Sequence, residues 1–256
     1  MRAALVDLDG TVVRGGSLLP GAAAGVRALR DAGLAVLFLT NNPTRPPSDW
    51  AAHLTDLGVP AAPDEVVTSA AATRDYLDDH FAGARVLAVA GEAVVEQLRA
   101  ADVTFVDVPG DADVVVAGFD ATFDYEDLTA GLRALRAGAD LVGTDPDRWV
   151  PTDEGPIPGS GAIVNAVAGA AEVEPVAVLG KPSGETTDLA LGRLGVPAAE
   201  CLLVGDRLDT DVAMGEQAGM ATAVVLTGAT DDAALAASDV APDHVLDSLA
   251  DVGSVL

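Results

Sequence analysis

Short runs of Val, Leu and Ala, each closed by a polar cluster, alternate along this chain with Ala-rich stretches of helical spacing. That alternation is the pattern of a parallel sheet covered by helices: strands buried on both faces read as continuous apolar runs, and their return connections are helical. "AALVDL" (3–8) predicts a strand, "GAAAGVRALRDAG" (21–33) a helix ending at Gly33, and "LAVLFLT" (34–40) a second strand. "VPAAECLLVGD" (196–206) contains a third strand and "ATAVVL" (221–226) is a fourth. The first three end in "DLDGT", "TNNPT" and "GDRLDTD". In open α/β sheets ligands bind outside the carboxyl ends of the strands, so these clusters are expected to share one rim.

The middle of the chain repeats the pattern independently. Residues 79–176 hold strand-like runs "RVLAVAG" (85–91), "VTFVDV" (103–108) and "ADVVVAGF" (112–119), with helices expected at 91–101 and 124–137. This segment exceeds the roughly 50 residues of the smallest domains. The expected organisation is an α/β core of residues 1–78 and 177–256 with a domain, 79–176, inserted into it. "PGSGAIVN" (158–165) lacks the third glycine of a dinucleotide fingerprint and reads as a helix start with Ser160 as N-cap.

Charge narrows the partners. The formal net charge is −26, from 40 acidic residues spread over the whole chain. A nucleic-acid polymer needs a basic face, so that class of partner is excluded. The even acidity resembles the habit of salt-loving archaea, with a high-GC bacterium as the alternative. No apolar run approaches the ~18–20 residues that cross a bilayer, and "MRAALVDLDG" turns acidic too early for a signal peptide. The expectation is a cytoplasmic protein with no membrane partner. The single cysteine, Cys201, excludes an intrachain disulfide, and His53, His80 and His244 lack ligand spacing.

Asp7 and Asp9 stand two apart where a strand gives way to a loop, with Gly10 and Thr11 next. Paired carboxylates invite a hard cation such as Mg²⁺, which prefers oxygen ligands; an Asp-rich strand cap in an Asp-rich chain is the alternative. An EF-hand is excluded because the glycine comes fourth, not sixth. Lys181 in "VLGKPSGET" is the only lysine of a chain whose Lys+Arg total is 14. A Walker A loop would need Gly at 175 and Ser or Thr at 182, and both are proline.

Taken together, "DLDGT", Thr40 in "LFLTNN", Lys181 in "LGKPS", and Asp206 and Asp211 in "VGDRLDTD" resemble, in order, the four motifs of the haloacid dehalogenase-like (HAD) hydrolases. "DLDGTVVRGGSLLPGA", "FLTNNPTR" and "GTDPDRWVPTDEGPIPGSGAI" are similar to the NagD-like class IIA branch, which inserts a C2-type α/β cap between the second and third motifs. Two departures stand out: Val13, where relatives often carry a larger residue, and "TDPD" (144–147), where many read Thr-Asn-Pro-Asp.

The resemblance implies a phosphatase acting on a small phosphorylated metabolite, such as a nucleoside monophosphate, phosphoglycolate, a sugar phosphate or an aryl phosphate. It implies Asp7 as nucleophile and Asp9 as general acid and base. Mg²⁺ would be held by Asp7, the Asp9 carbonyl and Asp206, with Asp211 and Thr11 behind them. Thr40, the Asn41 N–H and Lys181 would bind the phosphoryl oxygens. Asp145, Asp147 and Arg148 would face the substrate from the insertion, and a homo-oligomer is expected. Phosphotransfer on the same scaffold and non-catalytic binding of a phosphorylated ligand are the alternatives.

Overall fold

The computed structural model describes residues 1–150, 152 and 154–256. In chain order the sheet strands are β1 (Ala3–Asp7), β2 (Ala35–Thr40), β3 (Val66–Thr68), β4 (Arg85–Val89), β5 (Thr104–Phe105), β6 (Val114–Ala117), β7 (Asp140–Gly143), β8 (Ala177–Val178), β9 (Cys201–Gly205), β10 (Ala221–Val225) and β11 (His244–Leu246). The principal helices are α1 (Ala22–Asp31), α2 (Pro47–Asp56), α3 (Ser69–His80), α4 (Glu92–Leu98), α5 (Tyr125–Arg136), α6 (Ser160–Ala171), α7 (Gly184–Leu194), α8 (Ala213–Ala218) and α9 (Asp232–Ala237).

One six-stranded sheet has the order β11-β10-β9-β1-β2-β3. Its described pairings are parallel. Successive side chains of a strand point to opposite faces, and the sequence supplies apolar groups to both. Ala4, Val6, Val36, Phe38, Leu202 and Val204 pack with Val26 and Leu29 of α1 and Trp50 and Leu54 of α2. The intervening residues Ala3, Leu5, Leu37, Leu39 and Leu203 pack with Ala190 of α7 and Met214 of α8. Both faces are therefore dry, which is why the strands lack polar alternation.

The second sheet, also of parallel pairings, has the order β8-β7-β6-β4-β5. Leu87, Val89, Val115, Ala117 and Leu141 pack there with Ala134 and Leu135 of α5 and Ile163, Val164 and Val167 of α6. Each sheet belongs to its own compact unit. The first unit comprises Met1–Thr40, Pro47–Val67 and Lys181–Leu256; the second comprises Asn41–Pro46 and Thr68–Gly180.

These borders differ from the expected division at 78/79 and 176/177. Helix α3 falls with the second unit, where the Ser69 hydroxyl donates to the Asn41 carbonyl at 2.8 Å. The short strand β8 does so too, because it pairs with β7. Among the described residues no helix is long and apolar enough to cross a membrane.

Candidate active site

The rim expected from sequence exists in the first unit. Strands β9, β1 and β2 are neighbours, with Val204 opposite Val6 and Asp7 opposite Leu39, so Asp7, Thr40 and Asp206 all emerge at carboxyl ends of adjacent strands. After Asp7 the chain reverses tightly. The Leu8 carbonyl accepts from the N–H groups of Thr11, Val12 and Val13, and fully buried Leu8 anchors the turn. Gly10 has φ +101°, a region that favours glycine.

Lys181 is 3% exposed and donates to Asp7 Oδ1 and, at 2.6 Å, to Asp211 Oδ1. A single π-helical turn, Leu208–Val212, brings Asp211 inward, and the Arg207 N–H holds its other oxygen at 3.0 Å. Such turns recur at functional sites. Burial pulls the Lys181 ammonium down, but Asp211 and Asp7 outweigh it and hold it above an ordinary lysine.

Asp206 is clasped from the loop after β10. The Ala229 N–H donates to its Oδ2 at 2.6 Å, the Thr230 N–H to its carbonyl at 3.1 Å, and Thr227 Oγ1 to the Gly10 carbonyl at 2.7 Å. A Cβ on either Gly10 or Gly228 would overlap Asp206 Oδ2. Sequence reasoning passed over this loop; its signal is the "TG" that follows the fourth strand.

The carboxylates of Asp7, Asp206 and Asp211 each offer an oxygen within 4.8 Å of the others. Asp7 Oδ2, Asp206 Oδ1 and Thr11 Oγ1 are buried without a hydrogen-bond partner. Burial pushes the Asp7 carboxyl well above its usual range, with Lys181 opposing and Asp211 and Asp206 adding to the rise. Burial likewise raises Asp206 to about 6, with Asp211 adding, against the Ala229 N–H. Orphaned oxygens on crowded carboxylates fit a hard divalent cation, which would satisfy the lone pairs and favour the anions.

Asp9 stands apart from that cluster: it is exposed, and its Oδ2 accepts from Thr40 Oγ1 at 3.2 Å. Asn41, Asp145, Asp147 and Arg148 belong to the second unit. Asp145 is 2% exposed, Asp147 half-buried and Arg148 exposed. Arg148 lines a pocket of about 440 Å³ with Trp149, Ile157 and Ala162. None of Asp7, Lys181 and Asp206 lines it.

The family described as haloacid dehalogenase-like hydrolase matches residues 4–104, and one described as HAD-hydrolase-like matches 178–252. Sugar-phosphatase AraL of Bacillus subtilis is 32% identical over 97% of this chain and 90% of its own. The chain belongs to the haloacid dehalogenase-like hydrolases. 5'-Nucleotidase YutF of Bacillus subtilis is 34% identical over 96% of the chain and 94% of its own length. A p-nitrophenyl phosphatase from Archaeoglobus fulgidus superposes with TM-score 0.94 at 33% identity, covering 100% of this chain and 99% of that one. Within the HAD hydrolases the chain sits with the NagD-like class IIA proteins.

Proposed function

We propose that this HAD hydrolase is a phosphatase that cleaves a small phosphomonoester through a phosphoryl group carried on Asp7. The observation that supports it best is the state of the Asp7 carboxylate. One oxygen is fixed by the Lys181 ammonium and the other is buried without a partner, at the end of β1. A carboxylate so held is a preoriented nucleophile.

In the first half-reaction an Asp7 oxygen bonds to phosphorus as the bond to the ester oxygen breaks, and Asp9 gives that alkoxide its proton. In the second, Asp9 takes a proton from water, whose oxygen attacks phosphorus and releases phosphate and the free Asp7 carboxylate. The exposure of Asp9 suits a group that must exchange protons with leaving group and water in turn. Lys181 balances the negative charge brought to Asp7; its compact ammonium sits between two carboxylates, a fit a broad flat guanidinium would not reproduce.

Asp7, the Asp9 carbonyl and Asp206 are proposed to hold Mg²⁺, with Asp211 and Thr11 behind them. When bound, that ion supplies neutralising charge to the meeting of an anionic substrate with an anionic nucleophile. Thr40 and the Asn41 N–H, adjacent in the chain, are the proposed neutral donors to the phosphoryl oxygens. Segment 79–176 is proposed to act as the C2-type cap, with Asp145, Asp147 and Arg148 as its contacts to substrate.

The relatives' names support sugar phosphates, nucleoside monophosphates and aryl phosphates as the compounds to try. The even acidity supports a salt-adapted cytoplasmic protein, and a homo-oligomer is the expected assembly. The test is phosphate release from a panel of phosphomonoesters in molar KCl, with Mg²⁺, with EDTA, and with Asp7→Asn protein. Turnover abolished in both controls supports the mechanism; turnover that survives Asp7→Asn overturns it.

A further inference from the structure

The loop Asn41–Pro46 follows Thr40 directly, yet it belongs with the second unit. Two of its residues, Pro43 and Pro46, have no N–H to give, so at Pro43 the carbonyl is the one backbone group that can anchor the chain. Within the loop the Thr44 N–H and Oγ1 donate to Asn42 Oδ1 at 3.0 and 2.7 Å, which closes a tight turn. The carbonyls of Asn41 and Pro43 are taken instead by side chains from two helices further along the chain, α3 and α4.

From α3, the Ser69 hydroxyl donates to the Asn41 carbonyl at 2.8 Å, and Ser69 is only 1% exposed. A serine hydroxyl has one proton to give. Asp145 Oδ2, 3.4 Å from the same hydroxyl, is served at 3.2 Å by Thr144 Oγ1, so the Ser69 proton goes to Asn41. Ser69 is itself held: Thr73 Oγ1, one turn on, donates to its carbonyl at 2.8 Å. From α4, Gln97 Nε2 donates to the Pro43 carbonyl at 2.6 Å and to the Ala93 carbonyl at 2.8 Å. Those two acceptors fix the amide, because turning it over would set oxygen against oxygen. The arrangement has a cost, since Gln97 Oε1 is buried without a hydrogen-bond partner. A buried orphan acceptor calls for a compensating gain, and here the gain is a second anchor on the loop.

We propose that Ser69 and Gln97 are positioning residues that fix the Asn41–Pro46 loop, and with it the aim of the Asn41 N–H at a phosphoryl oxygen. The inference rests on the phosphate-binding role proposed above for Thr40 and that N–H. Asn41 carries its N–H and its anchored carbonyl on one Cα, so the bond from Ser69 limits how far the N–H can swing. Thr40, the last residue of β2, fixes the chain before it. Gln97 fixes the chain two residues beyond, at Pro43. A donor that meets developing charge works best when it is aimed before the substrate arrives. The Asn41 side chain is confined as well: a Cβ on Gly180 would lie 2.7 Å from Asn41 Oδ1.

The experiment compares wild type with Ser69→Ala and with Gln97→Met, which keeps the length of the side chain and removes both protons. Each variant should lose about 10-fold in kcat, less than the 10²–10³ of deleting a charge-stabilising donor outright. The loop meets the phosphoryl group, which every ester shares, so the factor should be the same for sugar, nucleoside and aryl phosphates. Amide hydrogen exchange without ligand reads the anchors directly. Exchange at Asn41, Asn42 and Thr44 should quicken in both variants, while amides of β1 and β6 keep their wild-type rates. Should Ser69→Ala fail to fold, Gln97→Met, a change at a half-buried position, supplies both readings. Unchanged kcat, a loss that differs from ester to ester, or unchanged exchange in the loop overturns the proposal. Faster exchange throughout both sheets also overturns it, since Ser69 and Gln97 would then be general stabilisers. If wild type turns over no ester, the phosphatase reading falls and a titration of the Asn41 amide with inorganic phosphate judges the anchors. The variants should then need about 10-fold more phosphate for the same NMR shift, a part of what deleting a donor costs; equal curves, or an amide that phosphate does not move, overturn the proposal.

Discussion

Lys181 donates to Asp211 Oδ1 at 2.6 Å in a space where Asp211 has no exposure at all. With Asp7 on the same ammonium, one positive charge stabilises two buried carboxylates. Removing it by Lys181→Met leaves those carboxylates uncompensated, a change that costs about 3–5 kcal/mol when a buried pair is broken. The Asp7 carboxyl, which Lys181 holds down in wild type, then titrates higher, so the deficit should shrink as pH falls and grow as it rises. Urea unfolding at several pH values reads this directly. A pH-independent deficit would mean that lost packing, and not charge, is responsible.

Lys181→Arg keeps the charge and changes its shape. A guanidinium is planar and wider than an ammonium, and Asp7, Lys181 and Asp211 are all buried. The variant should fold, with stability closer to wild type than Lys181→Met, yet lose about 10²–10³ in kcat, the scale of removing one preorganised donor. Parallel unfolding curves and kcat values separate the two effects; full activity in the arginine variant would refute the shape argument.

Binding of Mg²⁺ at Asp7 and Asp206 should stabilise the fold by mass action, by about 2.7 kcal/mol at a hundredfold excess over Kd. It should also release protons, because Asp206 sits at about 6, and Asp7 is raised, before the ion arrives. Apparent affinity therefore weakens as pH drops below about 6. Calorimetry in buffers of different ionisation enthalpy counts the protons. Asp206→Asn should lose both the stabilisation and most of the proton release.

The loop after β10 gives a subtler test. Gly228→Ala places a methyl group against Asp206 Oδ2, where the Ala229 N–H now sits at 2.6 Å. Displacing groups that orient a metal ligand typically costs 10–100-fold in metal affinity. The expected result is a weaker Mg²⁺ Kd with kcat at saturating Mg²⁺ much less affected. An unchanged Kd would show that the loop can move aside.

How much of this was legible beforehand follows from what each residue packs against. Strands β1, β2, β9 and β10 were readable because both sheet faces are dry, so Ala3–Val6 and Leu37–Leu39 form unbroken apolar runs. The strand expected over 103–108 shrinks to Thr104–Phe105, an edge pairing with β4 alone before the chain turns at Pro109. Strand β3 has three residues, too few to show a period.

Ser160 was expected to cap α6, yet Gly159 is the N-cap and Ser160 is the first helical residue. Its hydroxyl is taken by Asp145, a partner distant in sequence that local pattern does not reveal. The same limit hid the Thr227–Thr230 clasp on Asp206. Motif spacing located the rim carboxylates; which neutral groups hold them depended on contacts made only after folding.

Salt should act on the whole molecule with a predictable sign. Fourteen Lys and Arg stand against 40 Asp and Glu, so the chain carries a formal net charge of −26 that no cation of its own neutralises. Ion pairs such as Arg99–Glu92 and Arg136–Glu172 are solvent-exposed, and each is worth about 0–1 kcal/mol. Salt weakens those few attractions and the far more numerous repulsions together. The Debye length falls from about 10 Å at 0.1 M to about 3 Å at 1 M, so repulsion between neighbouring carboxylates is largely removed over that range. Net stability to urea should therefore rise with KCl and level off near molar concentration, with NaCl giving a similar curve. A fall in stability with added KCl would mean that the exposed pairs outweigh the repulsion.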